Sequence, residues 1–222
     1  MRSLLKPNPE RMRLKGDLNG LIRIIRNNKD EQVRIEAIHA LGRMQTPVAV
    51  PYLIDLFQDP DYGIRNTASD ALIYIGQEAI KPLIATLSTA DEPTARMVHV
   101  TLSGIGEDAA REIISHISDL QGIGFERAGY TLYSMGNRII PILIDALATS
   151  DQTIIRFVEG ILETFGRTAL HPLIEALSHE QEEVRARVAA LLIILGDQIV
   201  PDLLSSCAQD DESVRNLKFY II

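Results

Sequence analysis

Apolar residues recur along this chain at helical spacing, in paired stripes separated by a short polar turn. The pattern is clearest between Pro172 and Gly196, where PLIEALSHEQEEVRARVAALLIILG reads as a proline, an apolar pair, a polar turn with acidic residues, and a second apolar stripe closed by glycine. That order predicts helix A, turn, helix B, turn. Near the other end Leu18, Leu21, Ile22 and Ile25 form one such stripe and Val33, Ala37, Leu41 and Met44 the next, with Asp30 between them. Closing glycines fall at Gly76, Gly106, Gly136, Gly166 and Gly196, an interval of 30 residues each time. Periods of that size belong to arrays in which each unit buries its apolar surface only against its neighbours.

The units run from Asp17, with Gln45 in the place of the closing glycine; from Pro51; from Pro82; from about Asp108; from Ile139; from Ala169; and from Pro201. Proline near the start of helix A costs little, because the first-turn N–H groups have no intrahelical partner. Asp30, Asp61, Asp91, Asp151 and Asp211 stand where they can accept orphan N–H groups of helix B, with Gln121 and Gln181 in the two remaining turns. The glycines suit a positive backbone φ where helix B ends. Before the first unit, Asn8-Pro9 predicts a short capping helix through Arg11, Arg13 and Lys15.

Composition narrows the class further. Aromatic residues make up 5%, Trp is absent, and the hydrophobic 46% fits small aliphatic helix interfaces. A lone Cys207 excludes an internal disulfide framework and leans towards a reducing compartment. Neither a signal-peptide core nor an 18-residue apolar run is present, so a cytoplasmic protein without a transmembrane segment is expected. Residues 1–43 hold ten Lys/Arg against five Asp/Glu, whereas the whole chain carries −8. An acidic body disfavours nucleic acid as the main partner.

The string Asp, two residues, Val-Arg or Ile-Arg, a small residue and a final Gly resembles the HEAT repeat, in the short bacterial and archaeal form also found in phycobilisome lyases. Asp30…Val33-Arg34, Asp61…Ile64-Arg65 and Asp211…Val214-Arg215 carry it, as does Val184-Arg185 after Gln181. The resemblance spans residues 17–222. It implies a ladder in which that Arg joins turn acids between repeats, and an interruption in the middle, where Ala95, Phe125 and Ile155 hold the Arg position and Arg96 and Arg156 are displaced by one residue.

The resemblance also implies that the B helices line a concave docking surface. Two, five and nine places after the Arg position, residues are then expected to face it: Arg43, Asp70, Tyr74, Met97, Val100, Arg127, Tyr130, Phe157 and Arg187 among them, an apolar and aromatic middle between polar ends. Such patches mark protein contacts.

Signals for chemistry are poor. His39, His99, His116, His171 and His179 show no metal-ligand spacing, and no HExxH occurs. HEAT-like deoxyhypusine hydroxylases bind metal through His-Glu pairs; the single pair here, His179-Glu180, falls in a turn. Gly122, Gly124 and Gly129 do not make a dinucleotide fingerprint, because Arg127 occupies the third glycine's place. No catalytic, cofactor or metal residue is expected.

The expected fold is an all-α right-handed solenoid of about seven HEAT-like hairpins, with a basic cap at residues 1–16 and the array at 17–222. The expected function is a non-catalytic scaffold or adaptor binding a protein or peptide on the concave face. The alternatives are a lyase or metal-dependent modifying enzyme on the same scaffold, resembling bilin lyases, and nucleic-acid binding through the basic head. The seventh unit stops at Ile221-Ile222, short of a closing glycine, which predicts either a dimer contact there or a native chain that continues.

Overall fold

A computed structural model describes residues 7–195. Gly196 and the seventh unit, with Cys207, Asp211 and Val214-Arg215, lie outside the described residues. Helix α1 spans Pro9–Leu14, capped by Asn8 Oδ1, which accepts from Arg11 N at 2.8 Å. Six hairpins follow in the described residues: α2 (Leu18–Asn27) with α3 (Glu31–Arg43), α4 (Val50–Asp55) with α5 (Tyr62–Ile75), α6 (Gln77–Leu87) with α7 (Glu92–Ile105), α8 (Glu107–His116) with α9 (Ile123–Ser134), α10 (Ile140–Ala146) with α11 (Gln152–Phe165), and α12 (Leu170–Ala176) with α13 (Glu182–Leu195). Among the described residues there is no strand, and no helix is long and apolar enough to cross a membrane. This is an all-α solenoid, as the period predicted.

The local chemistry follows the sequence closely. Asp30, Asp61 and Asp151 each accept from two N–H groups at the start of their B helix, Asp61 Oδ1 from Gly63 N at 2.7 Å and Ile64 N at 3.2 Å, and Asp91 accepts from Thr94 N at 3.0 Å. Such caps contribute about 1 kcal/mol each. Gly76, Gly106, Gly136 and Gly166 all have positive φ, between 52° and 90°, and Gln45 adopts φ 46° in the same structural place. One expectation changes: Pro82 does not open its helix but lies inside α6, because Gly76 ends α5 and the next helix starts at once, at Gln77. In the second, fifth and sixth units the equivalent stretch is a 3-10 turn, so the α-helix begins later there.

Packing divides the chain into two compact units, one formed by residues up to Glu112 together with Gln121–Thr131, the other by Ile113–Leu120 and the residues from Leu132 onward. In the first unit the B helices α3, α5 and α7 lie side by side. Gly42 on α3 permits that closeness: a Cβ there would stand 2.8 Å from Ala71 Cβ of α5. At the end of each A helix from the second onward sits one buried apolar residue in a 30-residue series. In the first unit these are Phe57 and Leu87; in the second, Ile117, Leu147 and Leu177, all at most 1% exposed.

Helix α1 closes the first unit by electrostatics as well as packing. Glu10 Oε1 accepts from Arg13 Nε at 2.9 Å and Nη2 at 2.6 Å, while Oε2 accepts from Arg43 Nη2 on α3 at 2.9 Å. Hydrogen bonds from Arg13 and then Arg43 pull the Glu10 carboxyl down to about 2 from an ordinary 4.5. Because the folded value lies below the unfolded one, the stabilisation is present in full above about pH 4.5 and is lost as pH falls towards 2. Amide exchange of Met12–Leu14 is therefore expected to accelerate, beyond the intrinsic pH dependence, between pH 4.5 and 2. In Glu10→Gln that protection should be lost already at pH 7. Equal protection in both proteins at pH 7 would show that the contact does not hold the cap.

Candidate interaction face

The turn between the A and B helices of each hairpin leaves carbonyl groups that no helix satisfies. Arg65 meets this need in its own unit, with Nη1 donating to Asp59 O at 2.7 Å and Pro60 O at 3.0 Å. Arg185 does the same four periods later, to His179 O at 2.7 Å and Glu180 O at 3.0 Å. Arg34 instead spans outward, donating to Ile25 O at 2.8 Å and pairing with Asp59 of the next unit. These are the Arg residues that carry the HEAT resemblance.

Where the Arg position holds Ala95 or Ile155, the guanidinium comes from the following repeat. Arg127 Nη1 on α9 reaches back to Leu87 O at 2.8 Å and Ala90 O at 2.9 Å, and its Nη2 meets Glu92 Oε2 at 3.2 Å. Arg187 on α13 repeats the arrangement in the second unit: its Nη1 donates to Leu147 O and, at 2.8 Å, to Thr149 O. The ladder is thus displaced rather than simply interrupted in the third and fifth units, and Arg96 and Arg156 take no part in it; both are exposed. In the fourth turn a different bond appears, Ser118 Oγ donating to Asp151 Oδ2 at 2.8 Å. That hydroxyl, followed by the Thr153 N–H, holds the Asp151 carboxyl below its ordinary value.

This geometry corrects part of the expected docking surface. Arg127 and Arg187 are half-buried and committed to main-chain carbonyls, so neither is a free marginal charge. Phe157, two periods from Met97 and one from Arg127, is only 7% exposed and belongs to the core of the second unit. Arg127 and Arg187, two places after the Arg site, reach back to the preceding repeat, and Met97 is half-buried at the same position.

The positions five and nine places on do point outward. Tyr74 is 58% exposed, Val100 54% and Tyr130 63%, and Asp70 is exposed on α5 one turn before Tyr74. Arg43 is exposed but already paired with Glu10. Ile73 beside Tyr74 reaches across to α7, where a Cβ on Gly104 would stand 2.4 Å from its Cδ1. The Tyr130 ring lies 4.7 Å from His99 of α7, and His99 Nδ1 is 3.4 Å from Thr131 Oγ1. Half-burial pushes the His99 pKa below its ordinary value. Tyr74, Val100 and Tyr130 therefore lie on successive B helices of the first unit.

Two features of this face escaped the sequence reading. Ser69 Oγ and Thr101 Oγ1 share a hydrogen bond at 2.8 Å between α5 and α7, and His99 and Thr131 repeat it one period later between α7 and α9. The 30-residue phase of Ser69 with His99 and of Thr101 with Thr131 was the available signal. Tyr62, 65% exposed, flanks an open groove of about 650 Å³ that Arg65, Arg96, Met97 and Val100 also line.

His179 Nδ1 accepts from Gln181 N at 3.1 Å in its turn, the place Asp59 holds in the second unit by accepting from Asp61 N at 2.9 Å. Among the described residues no group of three or more His, Cys, Asp or Glu side chains is placed to hold a metal ion.

The described residues thus define a helical-repeat protein, in whose first unit the B helices α3, α5 and α7 stack side by side. The family model described as HEAT repeats matches residues 18–102, and the resemblance carried by Arg34 and Arg65 is a match to that family. No curated protein sequence matches the chain. Similar solved structures include the archaeal HEAT-like repeats protein from Thermococcus onnurineus NA1 (15% identity, 94% of this chain and 89% of that chain, TM-score 0.37). They also include the complex of CpcE and CpcF of phycocyanin lyase from Nostoc sp. PCC7120 (20% identity, 96% and 86%, TM-score 0.35) and a designed armadillo repeat protein (15% identity, 92% and 98%, TM-score 0.37).

Proposed function

We propose that this chain is a non-catalytic scaffold or adaptor that holds a protein or peptide partner against the exposed face of its B helices. The observation that carries this reading is the solvent exposure of Tyr74, Val100 and Tyr130 on three successive B helices, α5, α7 and α9. Large side chains of this kind are what interfaces bury, and aromatic residues supply much of their affinity. The helices beneath are tied to one another by Ser69–Thr101, by His99–Thr131 and by Arg127, so the face is presented without reorganisation on binding.

The reading is tested by affinity capture from native lysate with wild type beside a Val100→Ala, Tyr130→Ala double variant. Both sites are exposed, so the variant should keep its helical content and thermal midpoint. It should retain less than a tenth of each specific partner. A folded variant with the same partners as wild type would end this proposal.

A further inference from the structure

We infer that the face on α5, α7 and α9 takes an extended peptide segment with two basic side chains about six residues apart and an aliphatic side chain midway between them. This rests on the binding reading above and names the chemistry of the partner. Asp70 and Tyr74 are four residues apart on α5, and Glu126 and Tyr130 are four residues apart on α9, so each exposed ring has a carboxylate one helical turn away on its own face. Neither carboxylate is in an ion pair with another described residue. An unpaired carboxylate beside an exposed aromatic ring favours a Lys or Arg side chain twice over, by charge and by the ring's negative face.

The helix between them differs. On α7 the exposed residues are Val100 and Gly104, with half-buried Met97, so the middle position offers an apolar seat with a shallow floor. Its one unpaired charge is Arg96, four residues before Val100. The charge order across the face is therefore acid, base, acid. The middle position repels a third cation and admits an aliphatic residue or one with an acidic neighbour. Arg127 is compensated by Glu92 and by carbonyls, whereas Arg13 and Arg43 share the one carboxylate of Glu10, so the selectivity for cations at the Tyr74 end rests on Asp70.

Spacing follows from packing. Neighbouring helix axes lie roughly 10 Å apart, and an extended chain advances about 3.3 Å per residue. A strand crossing the B helices thus places every third residue over the next helix. Basic residues fall at i and i+6, with the aliphatic one at i+3. The net charge of −8 on the whole chain draws such a segment in over longer range.

The experiment is selection from a displayed random twelve-residue peptide library on the full chain, followed by fluorescence polarisation of the enriched peptides as synthetic, labelled probes. The expected peptides carry Lys or Arg six apart around a Leu, Ile or Val. They should weaken at least tenfold on Asp70→Asn, Glu126→Gln and on Tyr130→Ala, and stay within twofold on Glu107→Gln, Asp108→Asn, which removes acids away from the face. In Asp70→Lys, Glu126→Lys the same peptides with glutamate for lysine should regain affinity.

Enriched peptides that are neutral or acidic and lose affinity only on Tyr130→Ala would overturn the charge assignment and leave the binding face standing. Weakening as large on Glu107→Gln, Asp108→Asn as on the face variants would also overturn it, reducing the effect to general attraction. Peptides indifferent to Tyr130→Ala, or no enrichment at all, would overturn both this inference and the proposed function.

Discussion

Replacing Arg127 with alanine is expected to destabilise the α6–α7–α9 region by about 2–3 kcal/mol, the scale of a charge-assisted hydrogen bond lost together with the desolvation cost of carbonyls left unpaired. Three bonds disappear, to Leu87 O, Ala90 O and Glu92 Oε2. The pair with Glu92 matters least, since that carboxylate is 67% exposed and exposed pairs contribute little. The two carbonyls carry the effect. Lysine should not rescue, because one ammonium on a flexible stem does not reproduce the fixed fork of a guanidinium.

The decisive variant is Ala95→Arg in the Arg127→Ala background. It returns an arginine to the position Arg65 occupies in the second unit, into space that Arg127 has vacated. Recovery of 1 kcal/mol or more in a denaturant or thermal double-mutant cycle is expected. If Ala95→Arg is equally damaging with and without Arg127, the two positions do not serve the same carbonyls.

Phe57→Ala is expected to cost about 3–5 kcal/mol, the range for removing a fully buried aromatic side chain and leaving a cavity. Phe57 is 1% exposed at the end of the second A helix, in the place Leu87 holds one unit later. In a repeat array such a loss is felt first by the hairpin that suffers it and its immediate neighbours. Amide exchange should therefore report lost protection in α4, α5 and the adjoining faces of α3 and α7, while α11–α13 keep theirs. Uniform loss across all the helices would instead mean that the whole chain unfolds as one cooperative block.

Much of the fold was legible in the sequence because each unit announces itself locally. Asp30, Asp61, Asp91 and Asp151 cap B helices where the pattern placed them, and the glycines from Gly76 to Gly166 close them. Pro82 misled because proline marks the early turns of a helix without fixing its first residue, and the abrupt restart at Gln77 depends on Gly76. The face was legible only in part. Asp70, Tyr74, Val100 and Tyr130 lie outward as helical phase required. Arg127, Phe157 and Arg187 do not, because a helical wheel measures the angle around one helix and says nothing of where the preceding repeat lies against it. For Arg127 and Arg187 that neighbour supplies the carbonyls to which their guanidinium groups turn.

The borrowed guanidinium sets a parity on how this array can change length. Excising the thirty residues 107–136 would bring Phe157 opposite the third turn, where Arg127 had served Leu87 O and Ala90 O. Removing sixty, residues 107–166, would instead present Arg187 in that role. Shortening this region by two hairpins is thereby expected to cost less stability than shortening it by one, even though the visible period is a single hairpin.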